Sequence, residues 1–482
     1  MPSFLRDGAI VAGGALAAQV VSVTFYPLIT RLFEPATFGV FAAIVAFLSV
    51  ATPVASLRFN AVLMIPVERE RIWRLYWVGV SACGITSLAT GLGVLAGSWL
   101  DLPIGALSPA RNSEWWAAPA LLFLGGLYQL EFARVTRLRG FRTLAAARVV
   151  ETGADRLLAI VLGLLQFGAS GLLVGRFAGL LGGTWLLNRQ ARGNRRKNEG
   201  QSGTSIQYLV DDFRRYRAIA LSSSLSSLVD AVGRYAPQMA IPVFFSLEGN
   251  GHLALAMFVV AMPMTLLGDA VASVFAERSA AVRGGPNSIG QLAANVNFAS
   301  FVLLCPVPAA LALIGAEAFA FVFGSEWRGS GVLAALLAVS LYAAFVHRVF
   351  GVLFELHALT LVRLRFDVAS TVVRIAVLVI AGMSGVALTP TVAAFYVVSA
   401  VFYLSAVVWL FRRLGLPFFR KADLAAVGLV ATAVVAAIGV AASPATWWWR
   451  VVVTCALLVI ILGIGARRLW PLVRDSHGQQ VT

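Results

Sequence analysis

The chain has 482 residues, of which 59% are hydrophobic and 12% charged, and its formal net charge is +16. An ordinary soluble protein has about 25% charged residues, so this composition excludes that class. Continuous apolar runs of about 20 residues recur along the whole chain, which predicts an all-α polytopic membrane protein rather than a β-barrel of alternating strands.

The chain opens with two apolar runs, 8–30 and 37–62, joined by a polar elbow at 31–39. Pro35 in this elbow has no backbone donor and disfavours a helical residue before it, so the first span should end there. Gly39 lets the second span begin close to a neighbouring helix. The two runs therefore predict a membrane hairpin, with the first run retained as a span rather than cleaved as a signal peptide.

The apolar runs predict about fourteen membrane spans in all. They cover 8–30, 37–62, 75–98, 115–133, 149–168, 170–188, 218–245, 251–275, 297–323, 331–352, 366–384, 390–411, 423–442 and 448–466. With the N-terminus in the cytoplasm, 29 basic residues fall at inner loops and 4 at outer loops. This asymmetry predicts that both termini are cytoplasmic, and it explains the basic charge without a nucleic-acid partner.

The chain divides at a basic, polar loop over 189–217, which is typical of a linker that is either simply solvated or in contact with anionic lipid headgroups. Beyond it, the elbow at 242–253 repeats the aromatic, acidic and glycine pattern of the first elbow. The sequence thus predicts two parallel halves, a common transporter plan. The predicted domains are an N-terminal lobe of six spans (1–188), the linker (189–217), a C-terminal lobe of six spans (218–411), and two extra spans with a cytoplasmic tail (412–482).

Two sets of residues, one in each half of the chain, form a recognisable pattern. They are Gln19, Pro27, Thr30-Arg31-Leu32-Phe33, Pro35, Phe38-Gly39 and Leu57-Arg58, followed in the second half by Tyr216-Arg217, Phe244-Phe245, Pro263 and Val274-Phe275. The pattern resembles that of the polysaccharide-biosynthesis flippases of the multidrug/oligosaccharidyl-lipid/polysaccharide (MOP) exporter superfamily. The resemblance implies two six-helix lobes around a central cavity with two further C-terminal helices. It also implies translocation of an undecaprenyl-diphosphate-linked oligosaccharide across a bacterial inner membrane, for lipopolysaccharide or exopolysaccharide synthesis.

Five arginines fall within predicted spans: Arg58, Arg156, Arg176, Arg234 and Arg374. Each costs about 2.5–3.5 kcal/mol at a helix centre on insertion scales, so those near mid-span should face water or a carboxylate. Asp230 lies one helical turn before Arg234, and Gln238 lies one turn after it. This face, with Arg374 and Arg58, is a candidate site for a diphosphate headgroup, which a guanidinium binds through two parallel hydrogen bonds. The alternative for Asp230 and Arg234 is an ion pair that only satisfies itself.

Asp269 within the eighth predicted span is a candidate for proton or sodium coupling, although pairing with Arg234 or Arg374 explains it equally well. Glu151 and Asp155, one turn apart in the fifth span, predict either a local network with Arg156 or part of a substrate site.

The sequence contains no catalytic constellation and no clustered cysteines or histidines, so we expect no enzyme, cofactor or metal site. The predicted function is translocation of the lipid-linked oligosaccharide by alternating access, with membrane lipids and a polysaccharide polymerase as further partners. The alternatives are a drug or metabolite antiporter of the same superfamily and a membrane-embedded glycosyltransferase or polymerase. The last would ordinarily carry a large outer loop with clustered acids or histidines.

Overall fold

The computed structural model describes residues 2–65, 68–100, 108, 112–195, 206–263, 268–281, 286–442, 449–450, 452–454 and 456. Within these ranges all regular structure is helical, as the sequence predicts. The α-helices are α1 (Pro2–Leu32), α2 (Pro35–Ala55), α3 (Phe59–Val62), α4 (Arg69–Trp99), α5 (Ala118–Arg137), α6 (Phe141–Leu164), α7 (Gly168–Arg195), α8 (Ile206–Phe244), α9 (Leu247–Pro263), α10 (Asp269–Ala281), α11 (Pro286–Leu304), α12 (Val307–Phe323), α13 (Arg328–Ala338), α14 (Leu341–Leu356), α15 (Thr360–Met383), α16 (Leu388–Arg413) and α17 (Leu424–Ala442).

Seven helices in the described part of the chain are long and apolar enough to cross a membrane, or eight if the pair α13 and α14, bent by 49°, counts as one span. The all-helical membrane prediction is confirmed. Each of the first thirteen predicted spans coincides with a helix or a helix pair. Most of the fourteenth, 448–466, lies outside the described residues.

The helices form two compact units, Met1–Gly251 and His252–Thr482. In the first unit α6 packs along α7 and against α1, while α2 packs on α5 and α8. Two glycines of α7 make the close approach of α6 and α7 possible. A Cβ at Gly175 would lie 2.7 Å from the carbonyl oxygen of Asp155, and one at Gly179 would overlap the carbonyl oxygen of Glu151.

The elbow predicted around Pro35 is observed at Phe33 and Glu34, and Pro35 occupies the first turn of α2. The second elbow precedes α9, and the two helix starts touch each other within the first unit. A Cβ added at Gly39 would overlap the carbonyl oxygen of Leu247, and one added at Gly251 would overlap that of Pro35. The buried Asn250 donates a hydrogen bond to the Gly39 carbonyl at 2.8 Å. The repeated elbow is therefore a reciprocal backbone contact.

In the second unit the main core lies where α14 packs on α16 and on α10. Phe350 is central to it and makes edge-to-face contacts with Phe275 and Phe411. A second core joins α11 and α12 to α17 through Phe298, Leu313 and Val430. The main core includes residues of α16, and α16 packs against α15, which carries Arg374.

The predicted linker differs from the structure at both of its ends, because α7 continues to Arg195 and α8 begins at Ile206. Charged residues can extend a helix past its apolar stretch where water solvates them, so the end of the apolar run does not mark the end of the helix. The predicted lobes 1–188 and 218–411 stay predictions.

Candidate functional site

The second span is interrupted by three residues, 56–58, between the end of α2 at Ala55 and the start of α3 at Phe59. Leu57 and Arg58 both have left-handed backbone, with φ of 47° and 57°, before the short helix α3 begins. Such a conformation costs a non-glycine residue about 1–3 kcal/mol, so the surrounding structure must hold it. Thr86 donates to the carbonyl of Ala55 at 3.2 Å, and Arg137 donates to that of Leu63 at 2.9 Å. The interruption is thus held from both sides by neighbouring helices.

Polar groups along this interruption lack hydrogen-bond partners among the described residues. They are the Oγ of Ser56, the Nε of Arg58 and the Oδ1 of Asn60, all buried atoms. The amide of Asn60 donates to Gln129 at 3.4 Å. Buried polar atoms are nearly always paired, and broken membrane helices line binding sites or water-filled cavities. The combination makes the surroundings of Arg58 a candidate site for a polar ligand.

On α8, Asp230 and Arg234 are joined by a hydrogen bond of 2.8 Å between Arg234 Nη2 and Asp230 Oδ2. Both side chains are exposed on the protein surface, by 70% and 52%. Gln238, one turn further, is buried. The structure therefore brings together Asp230 and Arg234 but separates Gln238 from their exposed face.

Arg374 in the second unit is buried between α15 and α16. Its guanidinium donates to the carbonyl of Ser370 at 3.1 Å, to the hydroxyl of Tyr403 at 3.0 Å and to the hydroxyl of Thr371 at 3.4 Å. It also lies over the rings of Phe395 and Tyr403. These acceptors are all neutral, so the bonds satisfy the donors while the positive charge is kept inside the protein.

Sequence reasoning missed the polar groups that surround this arginine. The ring of Tyr403 packs on the ring of His347, with centroids 4.9 Å apart. His347 Nε2 lies 3.6 Å from Asp367 Oδ1, and Asp367 Oδ2 lies 3.8 Å from Arg363 Nε. Asp367 and Arg374 share a helix seven residues apart, which is two helical turns, so that spacing was a signal available in the sequence.

The acidic pair on α6 forms a network, and its main partner comes from α7. Arg176 Nη1 lies 2.9 Å from Glu151 Oε1 and 3.6 Å from Asp155 Oδ2. Arg156 lies 3.9 Å from Asp155 and covers the ring of Tyr26. Two carboxylates and two guanidiniums leave no net charge here, which supports the interpretation of a local network over a substrate site.

A second buried carboxylate in the first unit was not singled out by the sequence. Glu131 on α5 is fully buried and accepts a hydrogen bond of 2.7 Å from the Tyr76 hydroxyl. Arg134 lies 3.6 Å from its other oxygen and covers the rings of Trp73 and Tyr76. This cluster ties α4 to α5 beside the interrupted span.

Asp269 is the first residue of α10, and its side chain lies outside the described part of the structure. The predicted eighth span, 251–275, covers part of α9 and the start of α10, and 264–267 lie outside the described residues. Among the described residues no group of three or more histidines, cysteines or carboxylates could hold a metal ion.

Comparison with known proteins finds one matching family model and several solved structures with a similar fold. The model of a family described as polysaccharide biosynthesis protein matches residues 28–332. A structure titled as the lipid II flippase MurJ in an inward closed conformation superposes with a TM-score of 0.71 at 11% identity, covering 95% of this chain and 99% of that one.

An inward-facing multidrug resistance transporter of the MATE family, in the MOP superfamily, superposes with a TM-score of 0.56 at 15% identity, covering 84% of this chain and 94% of that one. A search of curated proteins by sequence gave no match. At these identities the structures establish the fold alone, which is the all-helical fold that both of them share with this chain.

Proposed function

Because the chain belongs to the polysaccharide biosynthesis protein family, we propose that it moves a polyprenyl-diphosphate-linked oligosaccharide from the cytoplasmic to the outer leaflet of a bacterial inner membrane. Family membership, over residues 28–332, is the observation that carries this proposal. The fold supports it, since the lipid II flippase MurJ has the same architecture.

Arg58 and Arg374 supply the chemistry that such a substrate needs. An uncompensated guanidinium within a membrane protein costs several kcal/mol, so its retention calls for an anionic ligand or another strong interaction. A diphosphate offers oxygen pairs that match the guanidinium fork, and charge-assisted hydrogen bonds of this kind are worth about 1.5–3 kcal/mol each. The proposed role of each arginine, Arg58 in the first unit and Arg374 in the second, is to contribute a diphosphate-binding guanidinium within its own unit, while the polyprenyl chain stays in lipid.

The exposed pair Asp230 and Arg234 has a secondary role in this proposal. An exposed ion pair contributes only about 0.2–1 kcal/mol to stability, so a competing phosphate can open it at little cost. Gln238 and Asp269 remain candidates, for a sugar contact and for proton or sodium coupling respectively. The proposed orientation places both termini in the cytoplasm, following the distribution of basic residues.

The test uses deletion of the gene in its native host, followed by complementation. We expect the lipid-linked precursor to accumulate where a membrane-impermeant oxidant of sugars, added to spheroplasts, cannot reach it. Complementation with the wild-type chain should restore oxidation. Arg58→Gln and Arg374→Gln should each lower the oxidised fraction about 10-fold or more, which corresponds to the loss of one charge-assisted contact of 1.4 kcal/mol.

Arg328→Gln is the matched control, since Arg328 is an exposed arginine that has a carboxylate partner of its own, Glu317. It should export normally. The proposal is wrong if the deletion strain still presents precursor to the oxidant, or if both arginine variants export like the control at equal amounts of folded protein.

A further inference from the structure

The first turns of α8 are fastened to the start of α4 by one carboxylate. Asp212 Oδ2 accepts a hydrogen bond of 2.7 Å from Arg74 Nε, and its Oδ1 lies 3.5 Å from Arg71 Nε. The Asp212 side chain is only 8% exposed, although it belongs to a highly charged segment. We name Asp212, Arg71 and Arg74 the α8 latch.

Aromatic contacts place the interrupted second span beside this latch. Phe213, which follows Asp212, stacks on Phe59 with centroids 6.1 Å apart. Phe59 follows Arg58, so the two charged residues lie on segments that pack together. The guanidinium of Arg74 also covers the ring of Tyr208 on α8, 5.4 Å from its centroid.

Two buried arginine donors in and beside the α8 latch have no hydrogen-bond acceptor among the described residues. Among the described residues, neither Arg71 Nε nor Arg58 Nε has a hydrogen-bond acceptor, although both atoms are buried. Arg71 Nη1 is paired with Glu68, whose side chain is 64% exposed. One buried carboxylate therefore serves two arginines, Arg71 and Arg74, and the Nε donors of Arg71 and Arg58 remain available to an anion. Unsatisfied buried donors of this kind are rare in native proteins, and each calls for a partner such as a bound anion or water.

We propose that Arg58, Arg71 and Arg74 form a reception site for the diphosphate of the substrate, and that Asp212 is an internal competitor displaced when the diphosphate binds. This inference rests on the proposed function and deepens it by naming the headgroup site and its regulation. The site lies at the end of the first unit that the basic residues predict to be cytoplasmic, where the substrate would arrive.

Charge and geometry favour a diphosphate over a monophosphate or a sugar. Asp212 presents two oxygens to two arginines but leaves the Arg71 Nε without a hydrogen bond. A diphosphate carries more oxygens and more charge, so it can satisfy Arg71 and Arg74 together and reach toward Arg58. Displacement of Asp212 would then free the first turns of α8, because the carboxylate is their ionic attachment to α4.

The binding test uses the full-length protein in nanodiscs and farnesyl diphosphate as a soluble probe, with farnesol and farnesyl monophosphate for comparison. Removing an internal competitor raises the fraction of binding-competent protein, so Asp212→Asn should lower the Kd for farnesyl diphosphate about 5-fold or more. Asp211→Asn is the matched control, because Asp211 is the exposed neighbour of Asp212 and its substitution removes the same charge. It should leave the Kd unchanged.

Arg58→Gln and Arg74→Gln should each raise the Kd about 10-fold, and farnesol should bind equally to all variants. Equal affinities of wild type, Asp212→Asn and Asp211→Asn would overturn the competitor role. Unchanged affinity in both arginine variants would overturn the site.

A distance measurement keeps the proposal testable even if an arginine variant fails to fold. Spin labels at Glu70→Cys on α4 and Val210→Cys on α8, both exposed positions, report the latch directly. Farnesyl diphosphate should lengthen or broaden this distance in a background that retains Asp212, and Asp212→Asn should do so without ligand. A distance that stays the same under both conditions would overturn the latch.

The outcomes separate this inference from the function. If farnesyl diphosphate opens the latch but the deletion strain still exports precursor, the site stands and the flippase proposal fails. If export depends on the protein while Asp212→Asn binds and moves like wild type, the function stands and the latch fails.

Discussion

Removal of Arg176 should destabilise the first unit more than any ordinary surface substitution. Arg176 is the common partner of Glu151 and Asp155, at 2.9 Å and 3.6 Å, and the Asp155 side chain is only 3% exposed. The neighbouring glycines hold α7 against the backbone of α6 at these two residues, so the carboxylates cannot move away to water. Arg176→Met would leave the buried Asp155 and the partly buried Glu151 one helical turn apart, with Arg156, 3.9 Å from Asp155, as the remaining positive charge of the network.

Breaking a buried ion pair by removing one partner costs about 3–5 kcal/mol. Because the Arg176 side chain is 33% exposed, we expect the lower end, about 3 kcal/mol. The assay is unfolding in a titration of sodium dodecyl sulfate, followed by tryptophan fluorescence. Arg192→Met, on the exposed part of the same helix, loses a bond to Asn188 and no close ion pair among the described residues, so it should cost less than about 1 kcal/mol.

The double variant Glu151→Gln, Arg176→Met removes one charge of each sign and leaves Asp155 paired with Arg156, so it should recover most of the lost stability. Two results would refute the reasoning. One is an Arg176→Met variant as stable as Arg192→Met, and the other is a double variant that is no more stable than the single one.

Three further predictions concern backbone contacts and strain. Gly39→Ala and Gly251→Ala should each destabilise the protein by about 1–3 kcal/mol, because the added Cβ overlaps a carbonyl oxygen. The control Gly84→Ala, which has open space around the added Cβ, should be neutral or stabilising, and unfolding titrations measure all three variants. Asn250→Ala removes the donor to the Gly39 carbonyl and should cost about 1–3 kcal/mol in the same assay. Arg58→Gly should relieve about 1 kcal/mol of left-handed strain yet lower export as strongly as Arg58→Gln, so a variant that loses both stability and export would contradict the strain argument.

The helices and their order could be predicted because the apolar runs and their punctuation are local features. Pro35 marks the end of the first span, and the distribution of basic residues predicts which loops lie on the same side of the membrane. The interruption at Leu57 and Arg58 could not be predicted, since neither residue is a glycine or proline and the left-handed turn is held by Thr86 and Arg137 from other helices.

The candidate site was predictable as a set of residue types but not as a set of contacts. An intramembrane arginine is conspicuous in sequence, yet the acceptors of Arg374 include Tyr403, 29 residues away on another helix. Asp212 was hidden in a charged segment, and its partner Arg74 is 138 residues away. Pairings at such separations arise from packing, which no local pattern encodes.

The contact between Gly39 and Gly251 also bears on how the protein is made. The second helix cannot complete its packing until the ribosome has added about 210 further residues, which takes about 10–40 s at ordinary bacterial elongation rates. During that interval the glycine face of α2 lies open in the bilayer or against the insertion machinery. A nascent chain that stalls before α9 emerges would therefore present an uncovered, closely packing helix face, which is a substrate for membrane quality-control proteases.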